Sequence, residues 1–276
     1  MADPNSITVT YQDRTAIITI NRADKLNALN HDLYHLLGER FREIEQRDDI
    51  YITVLTGTGR FFSAGADINA AGPTRDNGAA DQRRKLISFL SVNNLDLTRT
   101  IYNHPKILVV ALNGPVVGLS AAIIAFADFI YAAPHTFLLT PFSSLGLVAE
   151  GGASRAFVER LGISKANEAL IMSKRITIDE LTSTGFVNKV ISAPSGKQDD
   201  SAGFLQAVLA EVDDRLGLHL NQSSLLKIKE LIRRPERETL DKQNVAEFYG
   251  AIERFNSGFP QEEFRKLASG EKKHKL

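Results

Sequence analysis

The spacing of hydrophobic and polar positions changes several times along this chain, and each change predicts an element. Residues 7–21, ITVTYQDRTAIITIN, alternate and are rich in Ile and Thr. That predicts two strands around a polar turn at Gln12, Asp13 and Arg14. HDLYHLLGERFREIEQRDD (31–49) has apolar residues at helical spacing and a charged opposite face, which predicts an amphipathic helix. Continuous apolar runs read as buried elements. YITVLTG (51–57), ILVVALNG (107–114), FIYAA (129–133) and TFLLT (136–140) are strands, and GLSAAIIAFAD (118–128) is a helix. A long helix fits 82–103, FFSAGADI (61–68) is a loop of small residues, and the polar stretch 69–82 reads as mobile.

Strands and helices therefore alternate through about the first 190 residues, which predicts an α/β core with parallel pairing. VNKVIS (187–192) ends that pattern, and the polar break APSGKQDDSAG follows. Beyond it the chain reads as helix at 202–215, 221–233, 236–256 and 260–268. The expected organisation is a core over 1–200, a helical region over 201–269 and a tail over 270–276.

Composition narrows the function. The chain has 276 residues, enough for a substantial core. Lys plus Arg (33) balances Asp plus Glu (33), so the basic excess of a nucleic-acid binder is missing. There are no cysteines, which removes disulfides, thiolate metal sites and cysteine nucleophiles together. The N-terminus lacks the pattern of a secretory signal, and the apolar runs are too short to span a bilayer, so no membrane insertion is expected. His31 and His35 have metal-sharing spacing, but no Glu follows His31 and no third ligand is evident. GTGRFF (57–62) lacks the third glycine of a dinucleotide loop, and no G-x-S-x-G elbow is present. No metal and no cofactor is expected. The last residues, His274, Lys275 and Leu276, have two readings: a solvated end, or a peroxisomal tripeptide akin to S-K-L.

Three stretches could carry chemistry. SAGAD (63–67) and NGPVVGLSAA (113–122) each follow a buried strand and have small residues that let a ligand reach the backbone. Both are either tight strand-to-helix turns or sources of free amides, and two such amides make an oxyanion hole. SLGLVAEGGAS (144–154) places one carboxylate, Glu150, between an apolar run and two glycines. Glu150 is either a first-turn helix glutamate or a catalytic acid/base.

Taken together these motifs resemble the crotonase, or enoyl-CoA hydratase/isomerase, superfamily over residues 7 to 270. NRADKLNALN (21–30) is similar to its N-x-x-x-x-N-A-L segment, and GRFFSAGAD (59–67) to its F-x-x-G-A-D loop. KILVVALNGPVVGLSAAIIAFADFIYAA (106–133) is similar to its strand, N-G turn and buried helix. The resemblance implies an α/β spiral of ββα repeats with a C-terminal helical region that serves trimerisation, as a trimer or hexamer. It implies that the backbone N–H groups of Ala66 and Leu119 hold the thioester oxygen of an acyl-CoA. Lys25, Leu26 and Ala28 on one side, and Ala64, Gly65, Asp67 and Ile68 with Ala66 and Leu119 on the other, would line the acyl-CoA groove. CoA is then part of the substrate.

The hydratases of the family use two glutamates. Here those positions hold Ala122 and Phe142, after Pro141, which argues against hydration. Glu150 sits in a context resembling Δ3,Δ2-enoyl-CoA isomerases, especially the fungal peroxisomal branch, where one glutamate moves a proton from C2 to C4. The resemblance therefore implies a Δ3,Δ2-enoyl-CoA isomerase of fatty-acid β-oxidation in the peroxisomal matrix, reached through an import receptor that reads the terminal tripeptide. Asn94 would support Glu150 or a water, or else be a surface amide. Two alternatives remain: a dienoyl-CoA isomerase, which usually needs a further carboxylate across the pocket, and a non-catalytic acyl-CoA binder.

Overall fold

In this computed structural model, which describes residues 3–67 and 78–272, the alternating N-terminal segment forms a hairpin. Strands β1 (Ile7–Gln12) and β2 (Thr15–Ile20) pair antiparallel, and Asp13 takes a left-handed conformation in the turn between them. Helix α1 (His31–Glu45) follows, with the Asn30 side chain accepting from the Leu33 amide at its start. Strand β3 (Ile52–Gly57) lies parallel to β2. Helix α2 (Gly78–Leu90), a π-helical segment (Ser91–Asp96) and α3 (Leu97–Tyr102) lead to β4 (Ile107–Leu112), which pairs parallel with β3.

Three short elements come next: β5 (Val116–Val117), α4 (Gly118–Ile123) and β6 (Phe129–Ala132). After β7 (Phe137–Leu139) come α5 (Ala153–Leu161), α6 (Ile163–Leu170), β8 (Ile176–Thr177), α7 (Ile178–Ser183) and β9 (Lys189–Val190). The main sheet has the order β1-β2-β3-β4-β6-β9, parallel except for the first hairpin. A smaller sheet has the order β5-β7-β8. Helices α8 (Ser201–Leu216), α9 (Gln222–Arg233), α10 (Arg237–Ser257) and α11 (Phe259–Ala268) complete the chain.

The strand period of two divides the core. Ile18, Leu55, Val110 and Ile130 face the layer that holds α1, α3, α4 and α5. Their neighbours Ile17, Val54, Val109 and Tyr131 face the other way, against Phe204, Val208 and Val212 of α8. Both faces are covered, so the strands read as unbroken apolar runs. Among the described residues no helix is long and apolar enough to cross a membrane.

Two expected helices differ from the sequence reading. The helix expected over 82–103 is three pieces, because the segment 91–96 widens to π geometry. The helix expected over 118–128 is α4 followed by a 3₁₀ turn at Ile124–Phe126, which tightens the chain before β6.

Candidate active site

The site is built where three irregular segments meet above the parallel strands. The first contains Glu150. Residues 147–150 have no regular structure, and Gly151 and Gly152 are both left-handed, with φ of 68° and 72°. Glycine is needed there for space as well as for φ. A Cβ on Gly151 would lie 2.6 Å from Leu119 Cδ1 and 2.9 Å from Ala122 Cβ, and one on Gly152 would lie 2.5 Å from Phe126 Cζ. The bare backbone after Glu150 thus packs straight onto α4 and the turn after it. The apolar run before Glu150 divides its side chains: Leu147 and Ala149 join the main core, and Val148 packs with Leu86, Leu90 and Phe248 between α2 and α10.

The second segment is the π-helical turn. Asn93 and Asn94 lie in this wide turn, and both are buried. Such a wide turn often marks a functional site. Asn93 Oδ1 lies 2.8 Å from His31 Nδ1, and His31 stacks on Phe89. Asn94 Nδ2 donates to Glu150 Oε2 at 2.6 Å. Asn94 is therefore no surface amide.

Burial pushes the Glu150 carboxyl up to about 7, the Asn94 hydrogen bond pulls it down, and the nearby Glu247 charge adds to the rise. A carboxyl in that range gives and takes protons near neutral pH. The Tyr34 hydroxyl is buried and, among the described residues, makes no well-formed hydrogen bond; burial, helped by the Glu150 charge and opposed by nearby Ser120, holds it protonated.

The third segment is the pair of small-residue loops. Gly65, at φ 87°, has no room for a side chain, since a Cβ would sit 2.9 Å from the Val117 carbonyl oxygen. Gly118, at φ 63°, faces it across the gap, with its Cβ position 3.9 Å from Gly65 Cα. The two loops are stitched by Ser63, whose Oγ donates to the Asn27 carbonyl, accepts the Gly65 amide and lies 2.9 Å from Ser120 Oγ. Ala66 is exposed, and among the described residues its amide has no backbone acceptor. Leu119 is the second residue of α4, so its N–H has no partner inside the helix. Two amides next to two apposed glycines, with the turn that follows Glu150 packed against the same helix, form an arrangement able to hold an anionic oxygen and move a proton beside it.

The groove residues expected from sequence fall beside these loops. Lys25 and Leu26 are exposed, Leu26 is left-handed, and its carbonyl accepts the Ala64 amide. Ala28 follows, and the Leu29 amide donates to Gly65 O while Leu29 O accepts from Asp67. Arg22 lies 3.5 Å from the Asp67 carboxylate. Ile68, the tripeptide His274, Lys275, Leu276 and most of the stretch 69–82 lie outside the described residues. A cavity of about 160 Å³ beside Asn113, His135 and Lys197 shares none of the groove or proton-transfer residues.

Sequence reasoning missed the residues that hold this frame. Asn27 is fully buried: its Nδ2 donates to the carbonyls of Thr58 and Phe61, and its Oδ1 accepts the Arg22 amide. Asn113 accepts from Gly57 and donates to Gly59 and Phe61. The two asparagines of the N-A-L and N-G motifs therefore clamp the same loop, a role visible only once the strands are paired. Tyr34 and Glu247 carried no signal beyond a polar group in an apolar stripe.

The sequence matches the family model described as enoyl-CoA hydratase/isomerase over residues 10–205. It is 60% identical to a Δ(3,5)-Δ(2,4)-dienoyl-CoA isomerase of Pyricularia oryzae, over 98% of both chains. It is 32% identical to a 3,2-trans-enoyl-CoA isomerase of Saccharomyces cerevisiae, over 94% of this chain and 93% of the relative. A crystal structure of an enoyl-CoA hydratase/isomerase from Pseudoalteromonas atlantica superposes with a TM-score of 0.81 at 24% identity, covering 98% of this chain and all of the other, a likeness of fold.

Proposed function

The chain belongs to the enoyl-CoA hydratase/isomerase family and has the crotonase fold, and from that premise we propose that it isomerises 3,5-dienoyl-CoA to 2,4-dienoyl-CoA with Glu150 as acid/base. The observation that carries the chemistry is the part-buried Asn94–Glu150 hydrogen bond, made by a turn whose Gly151 packs onto the α4 that opens one of the two apposed amide loops. The substrate rests on the 60% identity to the Pyricularia dienoyl-CoA isomerase. This reverses the order in the sequence reading, which put the 3-enoyl substrate first.

The first step is the same for either substrate. The amides of Ala66 and Leu119 hold the thioester oxygen, Glu150 takes a proton from C2, and negative charge moves onto that oxygen as an enolate. Fixed donors favour that state over the ground state, by roughly 3–4 kcal/mol per donor in comparable holes. With a 3,5-diene the charge extends along the chain to C6. Protonated Glu150 returns the proton there, which leaves double bonds at C2 and C4, conjugated with the thioester, and restores the carboxylate. With a 3-enoyl chain the proton returns at C4.

The second reading, a Δ3,Δ2-enoyl-CoA isomerase, is favoured by one feature. Ala122 and Phe142, at the two positions where the hydratases carry glutamates, are apolar and buried, which leaves Glu150 as the carboxylate that the family's motifs supply. Glu247 is engaged by the Gly152 and Ser154 amides and is not free to meet substrate. The test is turnover of 3,5-octadienoyl-CoA and trans-3-hexenoyl-CoA by wild type and Glu150→Ala, with products separated by chromatography. A 2,4-dienoyl product lost in the variant supports the proposal. Turnover of the 3-enoyl substrate alone replaces it with the second reading, and binding without turnover leaves a non-catalytic acyl-CoA binder.

No cofactor enters this scheme, since CoA is part of the substrate. The exposed Ile228, Leu231 and Ile232, on one stripe of α9, support a homo-oligomer, trimer or hexamer, built through the C-terminal helices. The terminal His274-Lys275-Leu276 supports import into the peroxisomal matrix. Deleting Lys275 and Leu276 should release a tagged protein to the cytosol.

A further inference from the structure

Helix α10 is bonded to both segments that carry the Asn94–Glu150 pair, at Leu95 on one side and at Gly152 and Ser154 on the other. Its buried stripe is Leu240, Asn244, Glu247, Phe248, Ala251 and Ile252, so two polar residues stand in an otherwise apolar face. Asn244 is 2% exposed and donates through Nδ2 to the carbonyl of Leu95 at 2.9 Å. Leu95 is the residue after Asn94 in the π-helical turn. Glu247, three residues further along the same face, is 7% exposed. Its Oε2 accepts the Gly152 amide at 2.6 Å, and its Oε1 accepts the Ser154 amide at 2.9 Å and the Ser154 hydroxyl. Gln243 donates to that hydroxyl at 2.8 Å.

Gly152 is the residue before α5 and has no side chain to cap it. Glu247 supplies the cap from another helix, two residues after Glu150. Burial raises this carboxyl, and the donors that face its two oxygens oppose that rise only in part. The titratable groups that face Glu150 among the described residues are Glu247 and, from α1, Tyr34. Neither Glu150 nor Glu247 is ion-paired to a Lys or Arg among the described residues. A charge on Glu247 is therefore felt by Glu150 without a counter-charge between them.

We propose that Asn244 and Glu247 are positioning residues for proton transfer: one fixes the segment carrying the donor Asn94, the other fixes the turn carrying the base Glu150. The inference rests on the reading of Glu150 as the acid/base. It makes the C-terminal helical region part of the catalytic apparatus, because a shift of α10 would move donor and base together.

The two residues are predicted to act on Glu150 in opposite directions. Glu247→Gln removes a negative charge while keeping one acceptor, so the Glu150 carboxyl should titrate about one pH unit lower. Asn244→Ala releases Leu95 and loosens the Asn94 bond, so it should titrate higher by a similar amount. In both, kcat should fall roughly tenfold with KM within about twofold, as expected when geometry rather than affinity is lost. The experiment uses the full-length protein. The carboxyl is followed by infrared pH difference spectra against Glu150→Gln, a readout independent of turnover, and kcat and KM are measured alongside. Thermal melting confirms that each variant is folded. If one variant does not fold, the sign of the shift in the other decides. Unchanged titration and unchanged kcat in a folded variant would overturn the proposal. Full activity in Glu150→Gln would instead overturn the assignment of the base and leave the infrared result on α10 standing.

Discussion

Asn94 donates to Glu150 at 2.6 Å across 56 residues of chain, and it does so from inside a π-helical turn. Its neighbour Asn93 is buried in the same turn. The wide turn lets Asn93 meet His31 and Asn94 meet Glu150. That hydrogen bond stabilises the ionised carboxylate against its burial.

Asn94→Ala should therefore weaken the base twice, by loosening its position and by raising its pKa. A hydrogen bond to a charged group contributes about 1.5–3 kcal/mol, so kcat/KM near pH 7 should fall roughly 10- to 100-fold. The loss should shrink at higher pH, where more Glu150 is ionised. Asn94→Asp should be worse, since a second carboxylate repels the first. A loss that is the same at every pH would remove the electrostatic part of the argument.

Wild-type activity should follow the ionisation of Glu150. The base must start ionised, so kcat/KM should rise with pH and level off above about 7. Stability runs the other way. A carboxyl raised from 4.5 to about 7 in the folded state binds its proton more tightly there than when unfolded. Stability is then lost as pH rises through that window. Glu150→Gln should melt a few degrees higher than wild type at pH 8, on the order of 1–3 kcal/mol. The gap should close towards pH 4.5. Calorimetric melting at both pH values checks this, and a variant less stable at pH 8 would contradict it.

How far the site was legible in sequence depends on the range of the forces involved. The strand edges followed from unbroken apolar runs, because both sheet faces are covered. The SAGAD and NGPVVG loops followed from their small residues, and their glycines do meet at backbone distance. The π turn left no mark, since its 91–96 segment reads as ordinary helix, and the partners of Asn93 and Asn94 lie 62 and 56 residues away. Asn244 and Glu247 were visible only as polar interruptions in the stripe of α10, and their partners lie about 90 to 150 residues away. The substrate was the least legible of all. The C2 proton is removed in the same way from a 3-enoyl and a 3,5-dienoyl chain, so one carboxylate in a motif does not say where the proton returns.

Ser63 is expected to matter as much as the residues that touch substrate. Its hydroxyl bonds the Asn27 carbonyl, the Gly65 amide and the Ser120 hydroxyl, all within a buried junction. Ser63→Ala leaves the first two unsatisfied, which costs about 2 kcal/mol or more. The Ala66 amide follows Gly65 directly, so the oxyanion donors should lose alignment as well. The expected result is a lower melting temperature with kcat reduced roughly tenfold and KM little changed. Ser63→Thr keeps the hydroxyl but adds a methyl group to a fully buried site, so it should restore the alignment only where that methyl finds room. Wild-type kcat in a folded Ser63→Ala would show that the loops hold their geometry without this bond.

Ala122 occupies a position where the hydratases that the chain resembles carry an acid, so Ala122→Glu looks like a route to hydration. The packing predicts otherwise. Ala122 is fully buried, and its Cβ lies 2.9 Å from where a Cβ on Gly151 would stand. A glutamate there must displace the turn after Glu150 or bury its charge against α5. Overpacking and an unpaired buried carboxylate each cost about 1–3 kcal/mol or more. A displaced Gly151 also moves Glu150 away from Asn94. The variant should melt well below wild type, lose isomerase turnover and gain no ability to hydrate crotonyl-CoA, measured as loss of enoyl absorbance. Measurable hydration by a variant that melts like wild type would mean that the Gly151 turn yields and leaves room for an activated water.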